Sequence, residues 1–82
     1  MEKTIASPHG ALIAERLVAI RKRAKLTQRD LAVLLARPNS FVANNELGQR
    51  RVDLAEFYWI CKACKADPRV EMANLIKAFN KV

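Results

Sequence analysis

The stretch LTQRDLAVLLARPNSFVANNELG, residues 26–48, decides the fold, because its pattern predicts two short helices joined by a tight turn. The first helix opens with a capping box, in which the Thr27 hydroxyl and the Asp30 carboxylate satisfy free amides at the helix N-terminus. The leucines that follow at the spacing of one helical face are Leu31, Leu34 and Leu35. We therefore expect an amphipathic helix that begins after Thr27 and buries these leucines.

The second helix of this stretch begins directly after the first. Arg37 precedes a proline and is disfavoured in the α conformation, which ends the first helix. Pro38 is tolerated in a first turn, so a second helix can run from about Asn39 to Leu47 and stop at Gly48, where a left-handed conformation is easily adopted. Two short helices joined this tightly form a helix-turn-helix, a motif whose second helix enters the major groove of DNA.

Three further helices complete a predicted all-α domain. We expect residues 1–10 to form an N-terminal tail and residues 11–80 to form a single compact five-helix domain. The first helix is predicted from about Ala11 to Lys25. A fourth is predicted from a cap at Asp53 to about Cys64, and a fifth from Asp67-Pro68, a capping residue followed by a proline suited to the first turn. No segment alternates apolar and polar residues for long enough to predict a sheet.

The fourth helix is apolar around more of its circumference than a core-facing helix needs. Its expected core residues are Leu54, Phe57, Tyr58, Cys61 and Cys64, and those of the fifth helix are Met72, Leu75, Ile76 and Phe79. Trp59 and Ile60 widen the apolar surface of the fourth helix. We therefore expect a dimer interface that includes Trp59 and, on the last helix, Phe79. The alternative is that Trp59 lies flat against neighbouring side chains.

Positive charge is concentrated in the half of the chain that contains the motif. The net charge is +7; residues 1–51 carry ten Lys or Arg against four Asp or Glu, giving +6, and residues 52–82 carry five against four, giving +1. Binding to DNA phosphates requires such a bias, although a generally basic surface would also produce it. The N-terminus lacks the apolar run of a signal peptide, and no stretch approaches the ~18 apolar residues of a membrane span, so the cytoplasm is the expected location.

The sequence predicts no catalytic, metal or cofactor site. Cys61 and Cys64 lie inside a predicted helix, and the single histidine, His9, belongs to the predicted tail. Zinc needs four ligands and redox-active thiols favour helix N-termini, so we expect two reduced cysteines in the core. The chain has no glycine-rich phosphate loop and no histidine beside a nucleophile. We therefore do not expect an enzyme.

Base recognition is expected on the second helix of the motif. Asn39, Ser40 and Asn44 project from one face and can lie along a groove together. Asparagine can pair bidentately with adenine, and serine bonds to bases or to phosphate. The same short polar side chains would also suit an ordinary solvated surface.

The combined pattern resembles the Cro/phage-repressor (Xre-type) helix-turn-helix family over about residues 11–77. The resemblance rests on LTQRDLA at 26–32, Glu46-Leu47-Gly48, QRRVD at 49–53 and ADP at 66–68. It implies a five-helix, lambda-repressor-like domain that binds operator DNA as a homodimer and usually represses transcription. The resemblance also implies a structural ion pair between Arg21 and Glu46, and base contacts by Asn39, Ser40 and Asn44. The phosphate contacts that it implies are Gln28, Arg50 and Arg51, to which we add the neighbouring Thr27, Arg29 and Arg37.

Two positions depart from the family pattern in ways that bear on stability. Asn45 stands where a large apolar or aromatic residue normally packs. Its amide must find a partner or stay partly exposed, because a buried unpaired amide costs roughly 1–3 kcal/mol. Lys65 replaces the glycine that customarily ends the fourth helix, which predicts strain at that end.

We expect a sequence-specific DNA-binding transcriptional regulator that acts as a homodimer on two half-sites about one helical turn apart. The alternative is an antitoxin, or another interaction module that sequesters a partner protein. The apolar fourth helix and the uncharged second helix of the motif would both allow that alternative.

Overall fold

The computed structural model describes residues 7–82, and within them the chain forms five α-helices and no strands. The helices are α1 Pro8–Arg23, α2 Gln28–Leu35, α3 Asn39–Glu46, α4 Leu54–Ala63 and α5 Pro68–Phe79. Helix α2 packs against α3 and α4, while α1 packs against α3 and α5. The predicted all-α, five-helix architecture is confirmed, and α2, α3 and the turn between them form the helix-turn-helix.

Helix α1 begins earlier than the sequence analysis predicted. The Ser7 hydroxyl accepts a hydrogen bond from the Gly10 amide at 3.0 Å, and Pro8 occupies the first helical position. Residues 8–10 are therefore helical, and the prediction of a start at Ala11 was wrong by one turn. The Ser-Pro pair was the missed signal, because it combines a favourable cap with a favourable first residue. The first six residues of the predicted tail lie outside the described residues.

Capping boxes fix the start of α2 and α4. The Thr27 hydroxyl accepts from the Asp30 amide at 3.0 Å, and the Asp30 carboxylate accepts from the Thr27 amide at 3.0 Å. Asp53 and Glu56 repeat this arrangement at 2.8 and 3.2 Å. Local sequence therefore determines where both helices begin, as predicted.

Four helices end in a Schellman turn, in which the residue after the helix is left-handed. The φ angle is 62° at Lys25, 56° at Ala36, 74° at Gly48 and 58° at Lys65. In the turn after α2, the Arg37 amide donates to the Ala32 carbonyl at 3.0 Å and the Ala36 amide donates to the Val33 carbonyl at 3.1 Å. A left-handed conformation costs a residue with a Cβ roughly 1–2 kcal/mol. The strain predicted at Lys65 is therefore present, and Lys25 and Ala36 share it.

The core draws side chains from all five helices. Its buried members include Leu17 and Ile20 of α1, Leu31 of α2, Phe41 and Val42 of α3, Phe57, Ile60 and Cys61 of α4, and Leu75 of α5. Cys61 and Cys64 are buried free thiols, as predicted; burial raises the pKa of Cys61 to about 11 and also raises the pKa of Cys64. Residues 7–82 hold no cluster of three or more potential metal ligands among His, Cys, Asp and Glu. No helix in that range is long and apolar enough to cross a membrane.

Four residues predicted for the core lie at the surface instead. Their exposed fractions are 59% for Leu34, 71% for Leu54, 51% for Tyr58 and 49% for Ile76. On α2 the inward face consists of Leu31, Ala32 and Leu35, because Leu34 lies about 60° around the helix from Leu31 on the side away from Ala32. On α4 the buried residues Phe57, Ile60 and Cys61 form the inward face, and Leu54 and Tyr58 lie about 60° and 100° around the helix from Phe57 on the side away from Ile60.

Glu71 is buried beneath α1 although it carries a charge. Its exposed fraction is 3%, and its carboxylate forms ion pairs with Arg23 and, at 3.6 Å, with Arg16. These pairs join α5 to α1. The hydrogen bond between Arg23 and Glu71 spans 48 residues of sequence, so no local pattern could have predicted it.

Candidate nucleic-acid interface

The outer face of α3 carries the three side chains that are predicted to contact bases. Asn39, Ser40 and Asn44 are exposed, and none has a hydrogen-bond partner for its side chain among residues 7–82. Pro38 is the N-cap and supplies no side-chain hydrogen bond to the first turn. The first amide groups of α3 are therefore available to an outside acceptor, and the helix dipole favours an anion at this end.

A buried carboxylate holds α3 against the two preceding helices. Glu46 accepts from Arg21 Nε at 2.7 Å and from Arg21 Nη2 at 3.0 Å, and it also accepts from Gln28 Nε2 at 3.0 Å. Arg21 additionally donates to the Leu26 carbonyl at 2.8 Å. Hydrogen bonding to Glu46 raises the pKa of Arg21. The structure thus contains the Arg21–Glu46 ion pair that the resemblance implied.

Gln28 joins this network at the first position of α2. One of its two amide hydrogens is directed to Glu46. A primary amide carries two donors and one acceptor, so the second donor is available to a phosphate oxygen. The predicted phosphate contact of Gln28 is therefore compatible with its structural role.

Arg50 forms an ion pair with the buried carboxylate of Glu56 on α4. Its two terminal nitrogens donate to Glu56 at 2.7 and 2.8 Å, and its guanidinium lies 4.6 Å from the Phe41 ring centroid. Hydrogen bonding from Arg50 holds the pKa of Glu56 below its usual value. The neighbouring Arg51 is exposed. Of the two arginines predicted to contact phosphate from this loop, only Arg51 therefore has a charge that no described carboxylate neutralises.

Asn45 is almost completely buried and only half satisfied. Its exposed fraction is 2%; Oδ1 accepts from Arg50 at 3.3 Å, while Nδ2 has no hydrogen-bond partner among the described residues. The sequence predicts that this amide finds a partner or stays partly exposed. Only its oxygen has a partner, and the residue is not exposed. The unpaired donor marks a local cost in stability.

Five cations before, within and after the motif have no ion-pair partner among the described residues. The cations in residues 7–51 that lie beyond ion-pair distance of every described carboxylate are Lys22, Lys25, Arg29, Arg37 and Arg51. Three of them, Arg29, Arg37 and Arg51, are predicted phosphate contacts. Arg37 is exposed at the turn between α2 and α3, where its Cζ lies 5.0 Å from the centroid of Phe41 and 5.7 Å from that of Trp59.

Trp59 and Phe79, which are predicted for a dimer interface, lie in different surroundings. Trp59 is 45% exposed and adjoins Arg37. Phe79 packs on the core and meets the His9 ring edge-on, with centroids 4.8 Å apart.

An exposed apolar groove lies between α4 and α5. Its volume is about 1070 Å³, and its apolar lining includes Tyr58, Met72 and Ile76. The spacing of apolar residues predicts all three for the core. Their apolar character indicates a buried environment, but the packing of α4 on α5 leaves Tyr58 and Ile76 uncovered.

Several solved structures are similar to this chain. An XRE-family like protein from Pseudomonas syringae pv. tomato str. DC3000 is 36% identical, with 84% of this chain and 83% of that chain covered and a TM-score of 0.76. The restriction-modification controller protein C.AhdI from Aeromonas hydrophila is 31% identical over 74% of this chain and 92% of its own, with a TM-score of 0.67. The controller protein C.Esp1396I, at 22% identity, covers 93% of this chain and 99% of its own with a TM-score of 0.81, which shows the shared fold. No protein-family model and no curated protein matches the chain.

Proposed function

This chain belongs to the XRE family of helix-turn-helix proteins, and from that premise we propose that it is a sequence-specific DNA-binding transcriptional regulator, most simply a repressor or autoregulator. The observation that carries the proposal is the arrangement around α3. Its outer face presents free polar side chains, no side chain caps its first turn, and unpaired cations stand near it. This role needs neither catalysis nor a cofactor, and it would be exercised in the cytoplasm.

In the proposed complex, α3 lies in the major groove. Asn39, Ser40 and Asn44 meet base edges there, because no contact within the domain competes for their side chains. Phosphate contacts come from Thr27 and Gln28 at the start of α2 and from three unpaired arginines, which are Arg29 on α2, Arg37 in the turn before α3 and Arg51 after α3. We assign Arg50 the smaller share of phosphate binding, because Glu56 already occupies its guanidinium.

The proposed regulator acts as a homodimer, and the groove between α4 and α5 is our candidate for its interface. The controller protein C.Esp1396I has been solved as a tetramer in complex with its natural 35 base-pair operator, which supports a second copy of this chain as the occupant. Tyr58 and Ile76 expose apolar surface in the groove. The earlier prediction that Trp59 and Phe79 lie in the interface stays a prediction. The antitoxin alternative is not favoured, because the similar proteins named above include restriction-modification controllers.

Selection of bound sequences from a random duplex pool tests the DNA-binding function. We expect an enriched sequence with two related half-sites, bound with steep salt dependence. Asn44→Ala should lose discrimination at one base step, by about 1–3 kcal/mol. Arg51→Ala should weaken binding evenly across sequences and reduce the salt slope by about 1. Lys81→Ala, which removes a cation from the other end of the chain, is the control and should change neither quantity.

Failure to enrich any duplex would contradict the proposed function. Sedimentation tests the interface separately: Ile76→Arg should shift the chain to a monomer, whereas Val33→Arg on α2 should leave the dimer intact. Trp59→Arg measures whether Trp59 also belongs to that interface. A dimeric Ile76→Arg protein would exclude the groove.

A further inference from the structure

Arg37 is held from two directions at the entrance to the recognition helix α3. Its amide donates to the Ala32 carbonyl at 3.0 Å in the turn that ends α2, and the following Pro38 has φ −62°. Its side chain lies over two aromatic rings, 5.0 Å from the centroid of Phe41 and 5.7 Å from that of Trp59. Both the backbone and the guanidinium of Arg37 therefore have a defined position before any ligand arrives.

The rings of Phe41 and Trp59 differ in how deeply they are buried. Phe41 is part of the core and is 8% exposed. Trp59 projects from α4 and is 45% exposed, although its helix has a well-filled core face without it. The indole is therefore only partly covered by the rest of the domain, and Arg37 is a cation that its ring contacts.

A guanidinium that lies on an aromatic face keeps its hydrogen-bond donors for another partner. The cation–π attraction uses the face of the planar group, while its five N–H donors point outward in the plane. No carboxylate among the described residues lies within ion-pair distance of Arg37. The N–H donors of Arg37 that point away from the rings can therefore bind a phosphate while the guanidinium stays over Phe41 and Trp59.

The position of these rings places Arg37 beside the base-reading face. Phe41 and Asn44 are three positions apart on α3, which separates their side chains by about 60° around the helix. Arg37 thus lies at the Phe41 side of α3, between that helix and Trp59 of α4. A phosphate that borders a major groove occupied by α3 would lie along such a side.

We propose that Trp59 is a positioning residue for DNA binding, which holds the Arg37 guanidinium over its ring so that the guanidinium edge meets a backbone phosphate beside the recognition helix. This inference rests on the proposed function and assigns Trp59 a role other than dimerisation. An arginine that is already ordered loses less conformational freedom on binding than one that rotates freely. Trp59 therefore acts on affinity through Arg37 and not by touching DNA.

A double-mutant cycle on the full chain tests this proposal, with the duplex enriched from the random pool as the probe. We expect Trp59→Leu to weaken binding about two- to fivefold, the range of an exposed cation–π contact, and Trp59→Phe to restore most of the loss. Arg37→Lys should also bind more weakly despite its unchanged charge, because an ammonium cannot bind bidentately. The double variant Arg37→Ala/Trp59→Leu should bind no more weakly than Arg37→Ala alone. Val70→Ala, at an exposed apolar residue of α5, is the control and should bind like the unsubstituted chain.

Three results would overturn the positioning role. They are a folded Trp59→Leu protein with unchanged affinity, additive losses in the double variant, and a Trp59→Leu protein that sediments as a monomer, which would place Trp59 in the dimer interface. If the unsubstituted chain enriches no duplex, the proposed function itself fails. If it binds a selected duplex and Trp59→Leu binds equally well, only the positioning role fails.

Discussion

Replacing Asn45 with leucine is expected to stabilise this fold. Leucine has the same number and branching of side-chain heavy atoms as asparagine but no polar group to satisfy. Removing the unpaired Nδ2 donor should raise the free energy of unfolding by roughly 1–3 kcal/mol. The hydrogen bond from Arg50 to Oδ1, at 3.3 Å, is lost, but Arg50 keeps both bonds to Glu56, so this loss is about 0.5–1.5 kcal/mol.

Two further effects favour leucine at this position. A void of about 10 Å³ beside Asn45, lined also by Leu17 and Leu31, gives these apolar neighbours a small margin to adjust to the bulkier leucine. Leucine is also a better helix former than asparagine by a few tenths of a kcal/mol. The expected net gain is about 1–2 kcal/mol, and each kcal/mol raises the melting temperature of a domain this size by roughly 4–8 °C.

Thermal and urea unfolding, monitored by circular dichroism, measure this gain. Asn44→Leu is the control, because Asn44 neighbours Asn45 on α3 but is exposed, so its substitution should change stability by less than about 0.5 kcal/mol. If Asn45→Leu melted at or below the temperature of the unsubstituted chain, the unpaired amide would not carry the cost assigned to it.

Three other substitutions test the packing and electrostatics. Lys65→Gly should stabilise by about 1 kcal/mol in urea unfolding, because glycine adopts φ 58° without strain, while Lys62→Gly inside α4 should destabilise by a similar amount; equal effects would refute the strain. Glu46→Ala should cost about 3–5 kcal/mol by leaving Arg21 without its partner, and a loss below 1 kcal/mol would show that the ion pair does not hold α3 in place. Since the native pKa of Glu56 lies below its usual 4.5, its ionised form stabilises the fold above that pH, and stability should fall as the pH drops further. Glu56→Gln should flatten this decline, and an unchanged slope would count against the cause assigned to the shift.

The helix boundaries were the most predictable part of the fold, because they depend on residues close together in sequence. Two capping pairs predict helix starts that the structure contains. They are Thr27 with Asp30 and Asp53 with Glu56. Gly48 likewise ends α3 with a left-handed φ. The start of α1 is encoded just as locally, by the capping Ser7 hydroxyl and by Pro8 in the first turn.

The buried faces of the helices were less predictable, because they depend on how short helices rotate against one another. Leu34 and Tyr58 satisfy helical spacing as well as their buried neighbours do, yet both are more than half exposed. Burial of Glu71 depends on two arginines of α1, and no local pattern contains that information. Hydrophobic spacing predicts that a face exists but leaves its exact centre to tertiary packing.

Some features of the candidate site also follow from the local sequence, and others depend on tertiary packing. The proposed base-reading positions Asn39, Ser40 and Asn44 follow from their place on α3, and the structure finds them exposed. The difference between Arg50 and Arg51 does not follow from the sequence, because two adjacent arginines carry the same formal charge. It depends on Glu56, whose carboxylate accepts from both terminal nitrogens of Arg50 across the loop between α3 and α4.

The Glu46 network has a consequence for how this protein can change its DNA specificity over evolution. The orientation of α3 is set by Arg21 and Gln28 on its inner side, through bonds that involve none of the outward side chains. Asn39, Ser40 and Asn44 make no side-chain hydrogen bond within residues 7–82, so if they read bases as proposed, substitutions there should change the operator preference at little risk to folding. Operator preference and thermodynamic stability are therefore separately mutable in this domain, which makes it a suitable starting point for selecting regulators with new target sequences.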